Sequence, residues 1–224
     1  MPKIALIIFL ALTSQTMALQ SAELDEYLKE RTAEFDRIPV ERRKVLDEIS
    51  DYAKSRRPVR LTFICTHNSR RSQMSQVWAA IAASHYGVED VEAYSGGTEQ
   101  TAFNPRAVAA LERAGVKIRR RPDVLDGENP KYEVQLLRSE PIVCFSKVYN
   151  ESPNPKKDFA AIMTCSEADK NCPNVAGASQ RISLPFSDPK ASDGTDKEAE
   201  TYDERCQQIA REMLYVFAGV SGGK

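Results

Sequence analysis

Val59 to Ala82 reads VRLTFICTHNSRRSQMSQVWAAIA, and its three parts decide the fold. Val59-Arg60-Leu61-Thr62-Phe63-Ile64 is a short run rich in β-branched and aromatic residues, which predicts a strand. From Gln73 to Tyr86, Met74, Val77, Trp78, Ile81 and Ala82 recur at intervals of three and four, the period of a helix. Only Cys65 to Ser72 lies between them, so the unit is strand, tight loop, helix. Downstream the pattern alternates again. A strand is expected at Val91 to Tyr94, ahead of Gly96-Gly97. A helix is expected at Pro105 to Ala114, with Asn104 as cap and Pro105 at its first position. Another strand is expected at Phe159 to Thr164 and a long helix from about Asp196 to Phe217. Strands alternating with helices predict an α/β domain whose parallel sheet carries helices on both faces. Between Glu128 and Asp158 the pattern is less regular. Strands at Tyr132 to Leu137 and Ile142 to Phe145, with turn residues at Asn150 to Pro155, suggest an inserted hairpin.

The chain around this unit has 224 residues, enough for one sizeable core and too few for two comfortable ones. Thirty-one basic against 32 acidic residues leave a formal charge of -1, which argues against nucleic acid as a partner. Ile4 to Leu12 is nine uninterrupted apolar residues behind Lys3, too short to span a bilayer. It reads as a leader over residues 1–22 with cleavage near Ala18 to Ala22, or else as a buried N-terminal strand. With a processed leader the protein is periplasmic or otherwise exported, with no stable membrane insertion; unprocessed, it is cytoplasmic. From Ala22 to Arg57, Leu24, Tyr27 and Leu28, then Val45, Leu46, Ile49 and Tyr52, give two amphipathic helices broken near Pro39 and packed on the outside of the main domain. The expected organisation is thus leader 1–22, helical extension 23–57 and catalytic-sized domain 58–224. Arg119-Arg120-Arg121 reads as a solvated loop or helix end.

The chemistry concentrates in Cys65-Thr66-His67-Asn68-Ser69-Arg70-Arg71-Ser72. Cys65 and Arg71 bracket five residues where a strand ends and a helix begins. Such a loop can turn its N–H groups inward, and the helix N-terminus adds positive potential at the same spot, so Thr66 to Ser72 can bind an oxyanion. The same field favours the thiolate form of a cysteine at the loop's start, making Cys65 a candidate nucleophile. Arg71 can fork two N–H donors onto the oxyanion as charge spreads during transfer. Ser72 can cap the helix or hydrogen-bond the thiolate, and Asn68 can brace the loop. The spacing alone is weak, since five Cys and 18 Arg in this length give about 0.4 such pairs by chance. The strand and helix around it add the weight.

Two further features gain meaning from that loop. Ser187-Asp188-Pro189 can place Asp188 over its mouth to protonate a departing oxygen; alone it is a turn. Cys165 and Cys172 bracket six residues directly after the strand ending at Thr164. Carboxyl ends of parallel strands share one rim, so Cys165 and Cys65 should emerge on the same side, allowing disulfide exchange; a structural Cys165–Cys172 bond is the other reading. Cys144 and Cys206 are assigned to packing, and Tyr202 to the face of the final helix against the sheet. With no C-x-x-C and only His67 and His85, no metal site is expected, nor any cofactor.

FICTHNSRRSQM, AYSGGTE, NPRAVAALERAGV, MTCSEADKNCP and SDPKASDGTDKEAETYDERCQQIAREM together resemble the low-molecular-weight protein tyrosine phosphatase superfamily, and within it the thioredoxin-coupled arsenate reductases. The resemblance implies that Cys65 attacks arsenate held by the loop and Arg71. Cys165 then attacks the adduct, and Cys172 takes over the disulfide for a thioredoxin-like reductant. It implies a role for Asp188 in hydrolysing phosphate esters more than in reduction. His67 stands where the family has a small Gly, Arg70 where it has a small residue or Cys, and Gln76 where potassium-binding members have Glu beside Asn68 and Ser95. The alternative is a tyrosine-phosphate or aryl-phosphate hydrolase working through a cysteinyl-phosphate, and the second alternative a non-catalytic oxyanion-binding or redox-sensing protein.

Overall fold

The computed structural model describes residues 22–122, 128–171 and 174–222. The expected leader, except its last residue, and the expected relay residue Cys172 lie outside the described residues. The chain opens with α1 (residues 22–32), a 3-10 turn at Phe35–Arg37 and α2 (Val40–Lys54), the break falling just before Pro39. Then come β1 (Val59–Cys65), α3 (Arg71–His85), β2 (Val91–Gly97) and α4 (Pro105–Arg113). Asn104 caps α4 as its sequence suggests, its side chain accepting from the Arg106 N–H at 2.9 Å. β3 (Ile118–Arg120), β4 (Tyr132–Val134) and β5 (Ile142–Cys144) follow, then β6 (Phe159–Met163), α5 (Ser166–Asn171), β7 (Ala178–Ser183) and α6 (Glu198–Ser221).

Four strands form a parallel sheet in the order β2-β1-β6-β7. β1 is buried on both faces because helices cover both, and its alternate residues serve two different cores. Val59, Leu61 and Phe63 join Ala160 and Ile162 of β6 in the larger core beneath α2, α3 and α6. Ile64, Ala161 and Met163 point the other way into a smaller core with Ala168 of α5. β2 runs three residues beyond the expected strand, because pairing with β1 persists as far as Cys65 opposite Gly97.

The expected hairpin is two strands of a three-stranded antiparallel sheet, β3-β4-β5. Its third member corrects the reading of Arg119 to Arg121 as a solvated loop or helix end: Arg119 and Arg120 lie in edge strand β3, with Arg119 paired to Glu133 at 2.9 Å. A charged edge strand pairs along one side and keeps its side chains in water, so its hydrophobic pattern is weak.

α1 and α2 share the main core. Leu24, Leu28, Leu46 and Ile49 are buried in it, and Tyr27 stacks on Trp78 of α3 with ring centroids 5.4 Å apart. Tyr202 of α6 is fully buried, its hydroxyl donating to Asp193 at 2.8 Å.

Candidate active site

The carboxyl ends of three neighbouring strands deliver the candidate residues to one rim. Cys65 closes β1. Beyond β6, the Thr164 N–H donates to Ile64 O at 2.7 Å, so Cys165 follows directly beside the end of β1. Beyond β7, Leu184 and Phe186 donate to Met163 O and Thr164 O, leading the chain to Asp188. β1 connects to β2 on one side and β6 to β7 on the other. Cys65 and Cys165 thus flank the point where strand order diverges, the place where open α/β sheets receive ligands.

The loop between β1 and α3 is built by spending its carbonyls outward. Cys65 O accepts from Thr98 N–H, Thr66 O from Glu99 N–H, Ser69 O from Asn104 N–H and Arg70 O from Met74 N–H. His67 O accepts from the hydroxyls of Thr101 and Ser146, and Asn68 O from the Gln73 amide. Among the described residues no acceptor takes the N–H groups of Thr66 to Arg70. With Asn68 at φ 46, in the left-handed region, the loop turns back on itself, a backbone shape that can gather such amides around an anion. Gly97 permits the close approach: a Cβ there would stand 2.7 Å from Thr66 O and 2.8 Å from Asn68 N.

Donor and acceptor counting orients the group next to the sulfur. Asn68 Oδ1 accepts from the Lys147 backbone N–H at 3.0 Å, which turns Nδ2 toward Ser72, where it donates to Oγ at 2.9 Å. The Ser72 hydroxyl is therefore free to direct its hydrogen at Cys65 Sγ, 3.0 Å away, an arrangement that suits a thiolate. Ser72 bonds the sulfur rather than capping α3, whose N-cap position is Arg70.

Arg71 stands at the loop's end, but its fork is committed here to Asp188 rather than open. Nη2 meets Asp188 Oδ2 at 2.7 Å and Nη1 donates to Phe186 O at 3.1 Å, while buried Nε has no partner among the described residues. Arg70, expected among the oxyanion-binding residues of the loop, also grips Asp188, Nε to Oδ1 at 2.9 Å. Burial pushes the Asp188 carboxyl up, but Arg71, the Lys190 N–H and Arg70 outweigh it and hold the carboxyl below its ordinary value. His67 is half exposed, 3.7 Å from Glu99.

Cys165 is buried and reduced, its Sγ 3.5 Å from Thr66 Oγ1 and accepting from the Ala168 N–H at 3.3 Å. It sits at the side of the Cys65 loop. Cys144 and Cys206 are buried thiols that burial pushes up to about 12, away from reactivity. Ser95 donates to Gln76 Oε1 at 2.6 Å, and Gln76 Nε2 to Ala93 O, so those side chains are bonded to protein groups. Among the described residues no cluster of His, Cys, Asp or Glu could hold a metal. Lys147, which the sequence did not single out, is 2% exposed behind the loop, and burial lowers its ammonium to about 8.

A thiol at the floor of an amide nest, with an arginine at the loop's end and a second thiol beside it, is the equipment of a cysteine-dependent oxyanion-transfer enzyme. Residues 60–130 match the family model of the low molecular weight phosphotyrosine protein phosphatases. The arsenate reductase of Bacillus licheniformis is 29% identical over 157 residues, 70% of this chain and 92% of its own. That of Halalkalibacterium halodurans is 27% identical over 156 residues, with the same coverage of 70% and 92%. The solved structure of a low molecular weight phosphotyrosine phosphatase from Vibrio cholerae O395 covers 70% of this chain and 93% of its own at 11% identity and a TM-score of 0.47. The resemblance to this phosphatase superfamily and its arsenate reductase branch, read from the motifs, is borne out by the family and sequence matches.

Proposed function

We propose that the protein reduces arsenate with a three-thiol relay. The observation that carries this reading is Cys165 Sγ at 3.5 Å from Thr66 Oγ1, a reduced thiol at the wall of the loop that Cys65 opens. Ester hydrolysis does not consume a second thiol, which in a hydrolase would serve only as a redox lock on Cys65.

The Cys65 thiolate attacks arsenic of a protonated arsenate seated on the Thr66 to Arg70 amides, an As–O bond breaks and water leaves. Arg71 exchanges Asp188 for the oxyanion and supports its charge. The Cys165 thiolate then attacks Cys65 sulfur. The S–As bond breaks with its electron pair remaining on arsenic, so As(V) becomes As(III), arsenite departs and a Cys65–Cys165 disulfide remains. Cys172 attacks Cys165 sulfur, frees Cys65 as a thiolate and leaves Cys165–Cys172 for a thioredoxin-like dithiol protein to reduce. Each turnover consumes two electrons. If the leader is removed, that reductant acts outside the cytoplasm; intact-mass analysis of the expressed protein reports the processing.

Phosphate-ester hydrolysis is the second reading, favoured by Asp188 held at the loop by Arg70 and Arg71. Paired assays on the purified protein decide between them: arsenate with thioredoxin, and aryl phosphate without it. The reductase reading expects arsenate turnover that Cys172→Ser abolishes while aryl phosphate hydrolysis survives. Ester hydrolysis with no arsenate turnover selects the second reading, and an inert protein that still binds oxyanion overturns both.

A further inference from the structure

The partly buried guanidinium of Arg42 joins the N-terminal helical region to the loop that carries Asp188. Glu212 of α6 is 2% exposed, and Arg42 of α2 grips its carboxylate with Nε and Nη2 at 2.9–3.0 Å. A carboxylate so buried needs such a partner. The remaining nitrogen, Nη1, donates to Pro185 O at 2.8 Å, and the guanidinium lies over the Phe186 ring, 4.6 Å from its centroid. From the other side the same segment meets the active site: Phe186 O accepts from Arg71 Nη1, and Asp188 Oδ2 from Arg71 Nη2. Pro185 to Asp188 is therefore clamped between Arg70 and Arg71 of the loop at the sulfur on one side and Arg42 of α2 on the other.

We propose that Arg42 is a positioning residue for this segment, fixing the placement of Asp188 and the aim of Arg71 from outside the site. The catalytic part of this inference rests on the oxyanion-transfer reading above. The planar fork matters. A lysine has one nitrogen and no guanidinium face, so it cannot hold the carboxylate, reach Pro185 O and stack on Phe186 together.

The test uses the full chain as wild type, Arg42→Met, Arg42→Lys and the double variant Arg42→Met with Glu212→Leu, which removes both members of the ion pair should the single change prevent folding. Two readouts are taken: hydrolysis of phenyl phosphate against p-nitrophenyl phosphate, and hydrogen exchange of the amides that residues 184–189 carry, those of Leu184, Phe186, Ser187 and Asp188. Phenoxide leaves poorly without a proton, whereas p-nitrophenoxide leaves readily. The folded methionine variants are expected to lose roughly tenfold or more in kcat on phenyl phosphate and under about threefold on p-nitrophenyl phosphate. Arg42→Lys recovers only part of this, and amides 184–189 exchange faster in all three variants. Equal losses on the two esters, or wild-type exchange at 184–189, overturn the inference. If the wild type hydrolyses neither ester, the phosphate-ester reading and the catalytic part of this inference fail together, and the exchange measurement still decides whether Arg42 holds the segment.

Discussion

Ser72 shows how a single hydroxyl can be oriented by groups that touch no substrate. Its oxygen receives the Asn68 amide, so its hydrogen faces Cys65. Ser72→Ala removes that donor and leaves a buried amide N–H unpaired. Carboxymethylation of Cys65 by iodoacetamide at pH 6 is expected to slow by about tenfold, the scale of one lost hydrogen bond to a charged group; an unchanged rate contradicts the assigned direction. Lys147 gives a second prediction at this scale. Its folded-state value near 8 lies below the ordinary lysine value of 10.5, so the unfolded chain binds more protons between them. Stability relative to Lys147→Met should therefore rise with pH from about 8 to about 10.5, by at most roughly 3 kcal/mol. Urea melts across that range check it, and a flat difference contradicts it. Cys65, Arg71 and Ser72 could be singled out because they bracket a loop between strand and helix, and Asp188 only because that loop gave a distant Asp-Pro turn a possible role. Lys147, and Arg70 as a partner of Asp188, could not. Their importance comes from which elements pack together, and no local pattern in their neighbourhood carries that.

At the scale of elements, the loop depends on where β2 ends. Gly97 lies opposite Cys65 in the ladder, and a Cβ there would meet Glu99 O at 2.3 Å, Thr66 O at 2.7 Å and Asn68 N at 2.8 Å. These are backbone atoms that cannot swing aside. Gly97→Ala should thus weaken phosphate or arsenate binding by tenfold or more while α3 and β1 still form. Isothermal titration and circular dichroism test this, and wild-type affinity would show that the loop tolerates displacement. β1, α3, α4 and β6 followed from apolar period and capping residues, which operate within one element. β7 and β3 escaped that reading. Ala178-Ser179-Gln180-Arg181-Ile182-Ser183 is a polar edge strand, and Ile118-Arg119-Arg120 a charged one, so both owe their conformation to a neighbour's backbone rather than to their own pattern.

Across the whole molecule, α1 and α2 complete the core, and they reach the rim through Arg42. Tyr27 covers Trp78, while Leu24, Leu28, Leu46 and Ile49 bury roughly 1.5–3 kcal/mol each. Their combined loss is comparable with the whole stability of a domain. A fragment of residues 58–224 should therefore lack a cooperative thermal transition; a cooperative melt would show the extension to be dispensable. The sequence displayed these two helices clearly but could not show which surface they cover, since amphipathic spacing names a buried face and not its partner. The central claim, that Cys65 and Cys165 form one redox unit, has a direct measurement. Cys172→Ser, treated with arsenate and no reductant, should release one arsenite per chain and stop, and peptide mass mapping should then find Cys65 joined to Cys165. Recovery of both residues as free thiols after arsenate exposure, with no arsenite formed, would contradict it.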